Sequence, residues 1–413
     1  MINTKFLKSI GSYTLVNIIN KGIPFLLLPL LTNYLTKEDY GILTNIESLL
    51  VITIALIGIN IPSAITRQYV KKEVNIIDYF VSSFRVVFIS FIFISFVFVV
   101  FGAPISNFTG IPIEVVYIVS FYAILDNLIE VILGLWRMQD KPFSYGGLRI
   151  VKTIIELTIS ITLIVAYQYN WIGRFSGILI SGLILGLFAL VYLISAGYFK
   201  GKYVRSYKNH FLSFGLPLIP HTISGVIIMY SDKLIITNYL GLEENGLYSV
   251  AFTIGMAISL LQNSFNQAWV PWLFKKMALE SDKENRKLVK ITYLYMFIML
   301  LFVLILWLVT PFIYHFLGKG FAEGIGVVGI IGLGFAFNGM YKMMVNYLFF
   351  AEKTKVISSI TIGIALLNIT LSIFLIQDYG ILGPAYASAI TFFIQFIVTW
   401  YVSNRYYPMP WFK

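Results

Sequence analysis

Cysteine is absent from the 413 residues, so no disulfide framework, thiolate metal site or thiol nucleophile is available. Histidine is scarce: His210, His221 and His315 are too scattered to form an imidazole metal cluster. Charge is scarce too. Only 12% of the residues are Asp, Glu, Lys or Arg, where a soluble domain carries roughly a quarter because it must coat its surface for water. No segment has the composition of a soluble domain. A Gly-x-x-x-x-Gly-Lys-Ser/Thr loop is missing, which excludes that way of cradling ATP. His221 has a proline before it and no nucleophile at a telling spacing, so it reads as a packed or hydrogen-bonded histidine. No catalytic set and no cofactor site emerges.

What fills the chain is apolar. Hydrophobic residues make up 58% and aromatics 17%, with 35 Phe and 27 Tyr, and the mean hydropathy is +0.84. A bilayer crossing takes roughly 20 mostly apolar residues as helix. Such stretches fall near Ile10–Leu35, Tyr40–Ile65, Tyr79–Phe101, Val115–Met138, Ser144–Tyr167 and Ile172–Ala196. A second set falls near Phe211–Leu240, Leu247–Trp269, Val289–Val309, Ile325–Phe350, Ile357–Ile376 and Leu382–Ser403. The fold class is therefore all-α integral membrane, with about 12 transmembrane helices. The first stretch follows Lys5 and Lys8 but is longer than a signal-peptide core of roughly 7–15 residues, and no small-residue cleavage site follows. It reads as an uncleaved first span.

The basic residues segregate. One set of span ends carries Lys71, Lys72, Arg137, Lys141, Lys200, Lys202, Lys275, Lys276, Lys353, Lys355 and Arg405; the opposite loops carry Lys37 and Lys319, with Arg174 at the edge. The positive-inside rule places both termini in the cytoplasm. The net charge of +11 then reads as topology charge beside anionic membrane lipids, and no nucleic-acid partner is implied.

Thr32-Asn33-Tyr34-Leu35-x-x-Glu38-Asp39-x-Gly41 recurs as Thr237-Asn238-Tyr239-Leu240-x-x-Glu243-Glu244-x-Gly246, a spacing of 205 residues (237 minus 32). Dibasic pairs follow the second span of each half, at Lys71-Lys72 and Lys275-Lys276. These matches predict a duplication into two six-helix bundles, residues 1–205 and 206–413, in one orientation. Parallel repeats of this sort characterise secondary transporters with a central site. Each half opens with two prolines, Pro24 with Pro29 and Pro217 with Pro220. Moving helices and ordinary packing kinks are both open readings of them.

Ionisable groups inside spans are costly and face a partner or a cavity. Here they are Lys21, Asp126 and Glu130, then Arg149, Lys152 and Glu156, then Asp232 with Lys233, and Lys342. Asp126 and Glu130 are spaced to share a helix face, as are Arg149, Lys152 and Glu156. The functional reading is a hydrated cavity in which Lys21, Arg149, Lys152, Lys233 and Lys342 bind an anion. Asp126, Glu130, Glu156 and Asp232 then serve ion coupling. The alternative is structural ion pairing, such as Glu156 with Lys152 one turn away. Gln262 with Asn266, and Asn263 with Gln267, form two i,i+4 amide pairs; sugar binding and helix bridging are equally open for them. Asn338, Asn346 and Asn368 read as helix-packing amides.

The run from Phe25 to Gly41, Phe214-Gly-Leu-Pro-Leu-Ile-Pro-His221, Ser231-Asp-Lys233 and above all Gly255 to Trp272 resemble bacterial polysaccharide-export flippases of the Wzx type, over essentially the whole chain. The resemblance implies the multidrug/oligosaccharidyl-lipid/polysaccharide exporter fold. It implies transfer of an undecaprenyl-diphosphate-linked oligosaccharide (an O-antigen or capsule repeat unit) to the outer leaflet of the bacterial cytoplasmic membrane. It further implies coupling to H+ or Na+, with a polysaccharide polymerase and chain-length machinery as candidate protein partners. A multidrug exporter of the same fold is the alternative within the class. A membrane-embedded polymerase or acyltransferase is the alternative outside it.

Overall fold

The structure is a computed structural model that describes residues 22–23, 25–279 and 281–411. Every regular element among them is a helix. With no water in a bilayer to serve peptide groups, an apolar run must satisfy its backbone within itself, and the helix does so. The described part of the first expected span is α1 (Phe25–Tyr34); Lys21 and Pro24 lie outside the described residues, as does the side chain of His221. The chain continues through α2 (Lys37–Gly58), α3 (Ile61–Lys71), α4 (Ile76–Thr109), α5 (Ile113–Met138), α6 (Pro142–Ile161) and α7 (Asn170–Ser195). Next come α8 (Arg205–Gly215), α9 (Leu218–Leu240), α10 (Leu242–Gly255), α11 (Ala257–Met277) and α12 (Asp282–His315). It ends with α13 (Ile325–Phe350), α14 (Thr354–Tyr379) and α15 (Leu382–Tyr406).

Eight of the described helices are long and apolar enough to cross a membrane, and the chain is a multi-pass membrane protein. The other expected crossings depart from that pattern for visible reasons. Arg149, Lys152 and Glu156 interrupt α6, and Asp232 with Lys233 interrupts α9. The expected span Tyr40–Ile65 is divided at Ile59 and Asn60, which have φ of +46° and +58°. Pro62, at the start of α3, cannot donate to the preceding turn. Asn127 of α5 serves the break, donating from Nδ2 to the Ile54 carbonyl at 3.1 Å. Gly58 makes room for it, since a Cβ there would lie 2.0 Å from Asn127 Oδ1. The expected span Leu247–Trp269 is likewise divided, at Met256.

The repeat extends from sequence to elements. α10 begins 205 residues after α2 (242 minus 37), and α4 and α12 are both 34 residues long, each with a proline near its far end, Pro104 and Pro311. From α13 on the spacing is 212 residues, for α5 and α13 (325 minus 113), α6 and α14 (354 minus 142), and α7 and α15 (382 minus 170). The difference is taken up largely by a 3-10 turn, Lys319–Gly324, that precedes α13.

By packing, the described residues fall into two compact units. One is built on Ile42–Val226, and the other on the described part of Pro24–Gly41 and Ile227–Lys413. In the first, α5 is the hub: 78% of its crossing segment is buried, against 17% for α4. Its Leu128, Ile129 and Ile132 join a core with Ile57, Ile61, Ile65, Tyr79 and Phe80. In the second, α13, α14 and α15 pack together, and α12, with only 11% of its crossing segment buried, presents an apolar surface to lipid. The two copies of the repeated motif meet in this unit. A Cβ on Gly41 would lie 2.2 Å from the Leu242 carbonyl oxygen, and one on Gly246 would lie 1.9 Å from that of Lys37.

Candidate functional site

In the first unit α6 packs chiefly on α7, reaches α5 as well, and carries Arg149, Lys152 and Glu156 on one face. Each finds a partner on a neighbouring helix. Lys152 Nζ is 2.7 Å from Asp126 Oδ1, and Arg149 Nη2 is 3.1 Å from Glu130 Oε1, both on α5. Arg174 of α7 places Nη2 2.8 Å from Glu156 Oε1 and donates from Nη1 to Ser160 Oγ. Glu156 thus pairs across helices rather than with Lys152 on its own helix. Arg174, read from sequence as an edge charge, is the third cation of the set. Asp126 and Glu130 each hold a separate cation.

Tyrosines flank the cations. Lys152 lies 5.7 Å from the Tyr122 ring centroid, and Arg149 and Arg137 each lie 5.2 Å from that of Tyr145. The ladder is balanced, three carboxylates against three cations, and spans about 10 Å from Arg149 to Glu156 at 1.5 Å per residue. Its side chains keep partial access, 28% for Arg149 and 23% for Lys152. Such pairs repay the several kcal/mol lost per desolvated ion only while both partners stay in place. A polyanion or a proton that takes one partner therefore releases the other.

The second unit holds Asp232 differently. Its buried carboxylate accepts from Tyr248 Oη at 2.8 Å, Ser388 Oγ at 2.6 Å and Ser372 Oγ at 2.9 Å. Asn368, expected only to pack helices, extends this knot by donating to Ser388 Oγ and Thr391 Oγ1 at 3.2 and 3.3 Å. One carboxylate ringed by hydroxyl and amide groups offers oxygen ligands to a proton or a hard cation. Lys233 stands beside aromatic rings, 4.9 Å and 5.0 Å from the Tyr230 and Phe252 ring centroids. The serines were missed in the sequence because hydroxyls are common in membrane helices. No spacing in the sequence links them, because Ser372 is on α14 and Ser388 on α15.

The amides of α11 bridge to α13. Gln262 donates to Asn338 Oδ1 at 3.4 Å, Asn263 Oδ1 accepts from Lys342 Nζ at 2.7 Å, and Asn266 Oδ1 accepts from Asn346 at 3.0 Å. The i,i+4 pairs do not bond along their own helix, and Gln267 is exposed. Lys342 thus sits among amides, on a different helix pair from Lys233 and in a different unit from Arg149 and Lys152. Among the described residues no three His, Asp or Glu side chains converge as a metal site.

Known proteins of this architecture are membrane transporters. A multidrug resistance MATE family transporter of the MOP superfamily superposes with a TM-score of 0.72 at 14% identity, over 94% of this chain and 97% of that one. The lipid II flippase MurJ does so with a TM-score of 0.74 at 17% identity, over 95% and 87%. In sequence, a protein of the Lsg locus of Haemophilus influenzae is 24% identical over 87% of this chain and 88% of its own length. A Shigella flexneri protein proposed as an O-antigen transporter is 21% identical over 49% and 48%. Residues 6–277 match the family profile described as polysaccharide biosynthesis protein, and the chain belongs to that family.

Proposed function

We propose that this protein flips undecaprenyl-diphosphate-linked oligosaccharide repeat units from the cytoplasmic to the outer leaflet of the bacterial cytoplasmic membrane. Entry of H+ or Na+ drives it through alternating access, both termini are cytoplasmic, and the duplicated units are residues 1–205 and 206–413. The observation that carries this reading is the ladder of ion pairs on α5, α6 and α7. A diphosphate offers several anionic oxygens that compete with Asp126 and Glu130 for Lys152 and Arg149, and Arg binds such oxygens bidentately. Asp232 then holds the coupling ion. Membership of a polysaccharide biosynthesis family, likeness to a lipid II flippase and the O-antigen relative all favour a glycan-lipid cargo.

In cells deleted for the gene, lipid-linked repeat units should accumulate on the cytoplasmic leaflet and disappear when the native protein returns. Arg149→Gln and Lys152→Gln proteins, present at native level, should leave that accumulation in place. Full complementation by both would remove the ladder from the substrate site. The charge balance of the ladder keeps a multidrug exporter as the second reading, because Asp126 and Glu130 also suit an organic cation. Gradient-driven ethidium efflux by the reconstituted protein, with no movement of lipid-linked glycan, would establish that reading instead.

A further inference from the structure

Asp232 stands at the head of a polar stripe on α15. Ser388, Thr391, Gln395, Thr399 and Ser403 recur at spacings of three and four, and none is more than 4% exposed. The stripe runs about 22 Å at 1.5 Å per residue. It leads toward the basic end of the second unit, where Arg405 stands and Trp411 packs on Tyr347 and Trp400. Its upper part is joined to Asp232 through Ser388. Its lower part behaves differently from other buried threonines of the same unit. Thr292, Thr310, Thr361 and Thr391 each return the hydroxyl to the carbonyl one turn earlier. Thr399 Oγ1 does not, and Gln395 Oε1, one turn above it, is also buried without a hydrogen-bond partner. In a dry helix interface each such group costs on the order of a few kcal/mol, whereas a file of water or a cation satisfies both.

The other end of the same helices is open. A cavity of about 530 Å³ is lined by Leu240, Glu244, Tyr379 and Leu382, one residue from each of α9, α10, α14 and α15. Those four helices supply Asp232, Tyr248, Ser372 and Ser388, one to two turns below the rim.

We propose that the α15 stripe is a hydrated route for a monovalent cation between Asp232 and the basic end of the second unit, with Gln395 Oε1 and Thr399 Oγ1 as its ligands. The proposal rests on the reading of Asp232 as the coupling carboxylate. The absence of native cysteine allows a direct test with silver ion, a monovalent cation that binds thiols. Single cysteines are placed at Gln395, Thr399 and Ser403, the last nearly isosteric, and at the equally buried apolar Ala336 of α13. Silver is applied from the Arg405 side to protein in vesicles, and the remaining thiols are labelled with maleimide after denaturation. The expected result is loss of labelling at 395, 399 and 403, with Ala336→Cys labelled in full. Full labelling at 395 and 399 after silver overturns the route whatever Asp232 does. Separately, gradient-driven transport that survives Asp232→Asn overturns the coupling reading, and the silver result still decides whether the stripe carries cations.

Discussion

Lys152 and Asp126 show what a single residue contributes. Lys152→Gln strands a mostly buried carboxylate, and breaking a buried pair costs about 3–5 kcal/mol. The variant should therefore melt at a lower temperature in detergent. Adding Asp126→Asn should restore most of the melting temperature, because the uncompensated charge is gone. Transport should stay low in the double variant, since the lost contact to a diphosphate is worth about 1.5–3 kcal/mol, or roughly ten- to hundredfold in affinity. Recovery of transport together with stability would make the pair purely structural. Asp126→Asn with Glu130→Gln and Glu156→Gln tests the ladder carboxylates: with Asp232 holding the coupling ion, the triple variant should keep its dependence on an imposed pH or sodium gradient, and loss of that dependence would move coupling into the ladder. The sequence showed which residues were ionisable inside spans, because hydrophobic context makes them stand out. It did not show their partners. Glu156 with Arg174 depends on α6 and α7 packing side by side, and Arg174 was hidden by its place near a span end. Asp232 was visible, whereas its ligands Ser372, Ser388 and Tyr248 come from three other helices.

At the scale of elements, the broken second span carries a specific dependence. Gly58 and Asn127 occupy complementary space, and Asn127 donates to the turn before the break. Gly58→Ala forces the Asn127 side chain aside, an overpacking cost of about 1–3 kcal/mol. Asn127→Ala alone loses a hydrogen bond in a buried interface. The two changes together should destabilise less than their sum, read as melting temperature in a double-mutant cycle. Additive losses would mean that the two side chains act independently. The apolar length of α2 was legible but this break was not, because Ile59 and Asn60 sit in a run whose hydropathy is continuous and only Pro62 marks it. The long α12, about 51 Å at 1.5 Å per residue, exceeds a hydrocarbon thickness of roughly 30 Å, as does α4, which kinks at Phe101. The apolar stretches Tyr79–Phe101 and Val289–Val309 fall inside them, and each helix runs on past its apolar stretch.

At the scale of the molecule, the basic asymmetry dictates which loops share a side. Cysteines at Ser206 and Ser281 should react with impermeant maleimide only from the cytoplasm, and those at Thr36 and Glu243 only from outside. Glu243 serves better than its neighbour Asn245, which is buried and donates to the Gly41 carbonyl at 3.2 Å. Reaction of Thr36→Cys and Ser206→Cys from one side would overturn the crossing number. Ten residues of motif suggest a duplication, whereas the change in helix spacing was not legible, because the six-residue Lys319–Gly324 turn before α13 breaks the register.

The glycine contact carries a further consequence. Gly41 meets Leu242 within the second copy of the motif, and Gly246 meets Lys37 within the first, so the same patch serves as both sides of one fit. A contact with that reciprocity is self-complementary in the manner of an isologous dimer interface. It needs no second gene to arise: a chain of half the length would make it with its own copy, and fusing the two copies would preserve it. The fused form then gains a liberty that a homodimer lacks. Each half of such a chain could change its charges without changing the other's, and here three ion pairs lie in one unit and a hydroxyl-ringed aspartate in the other.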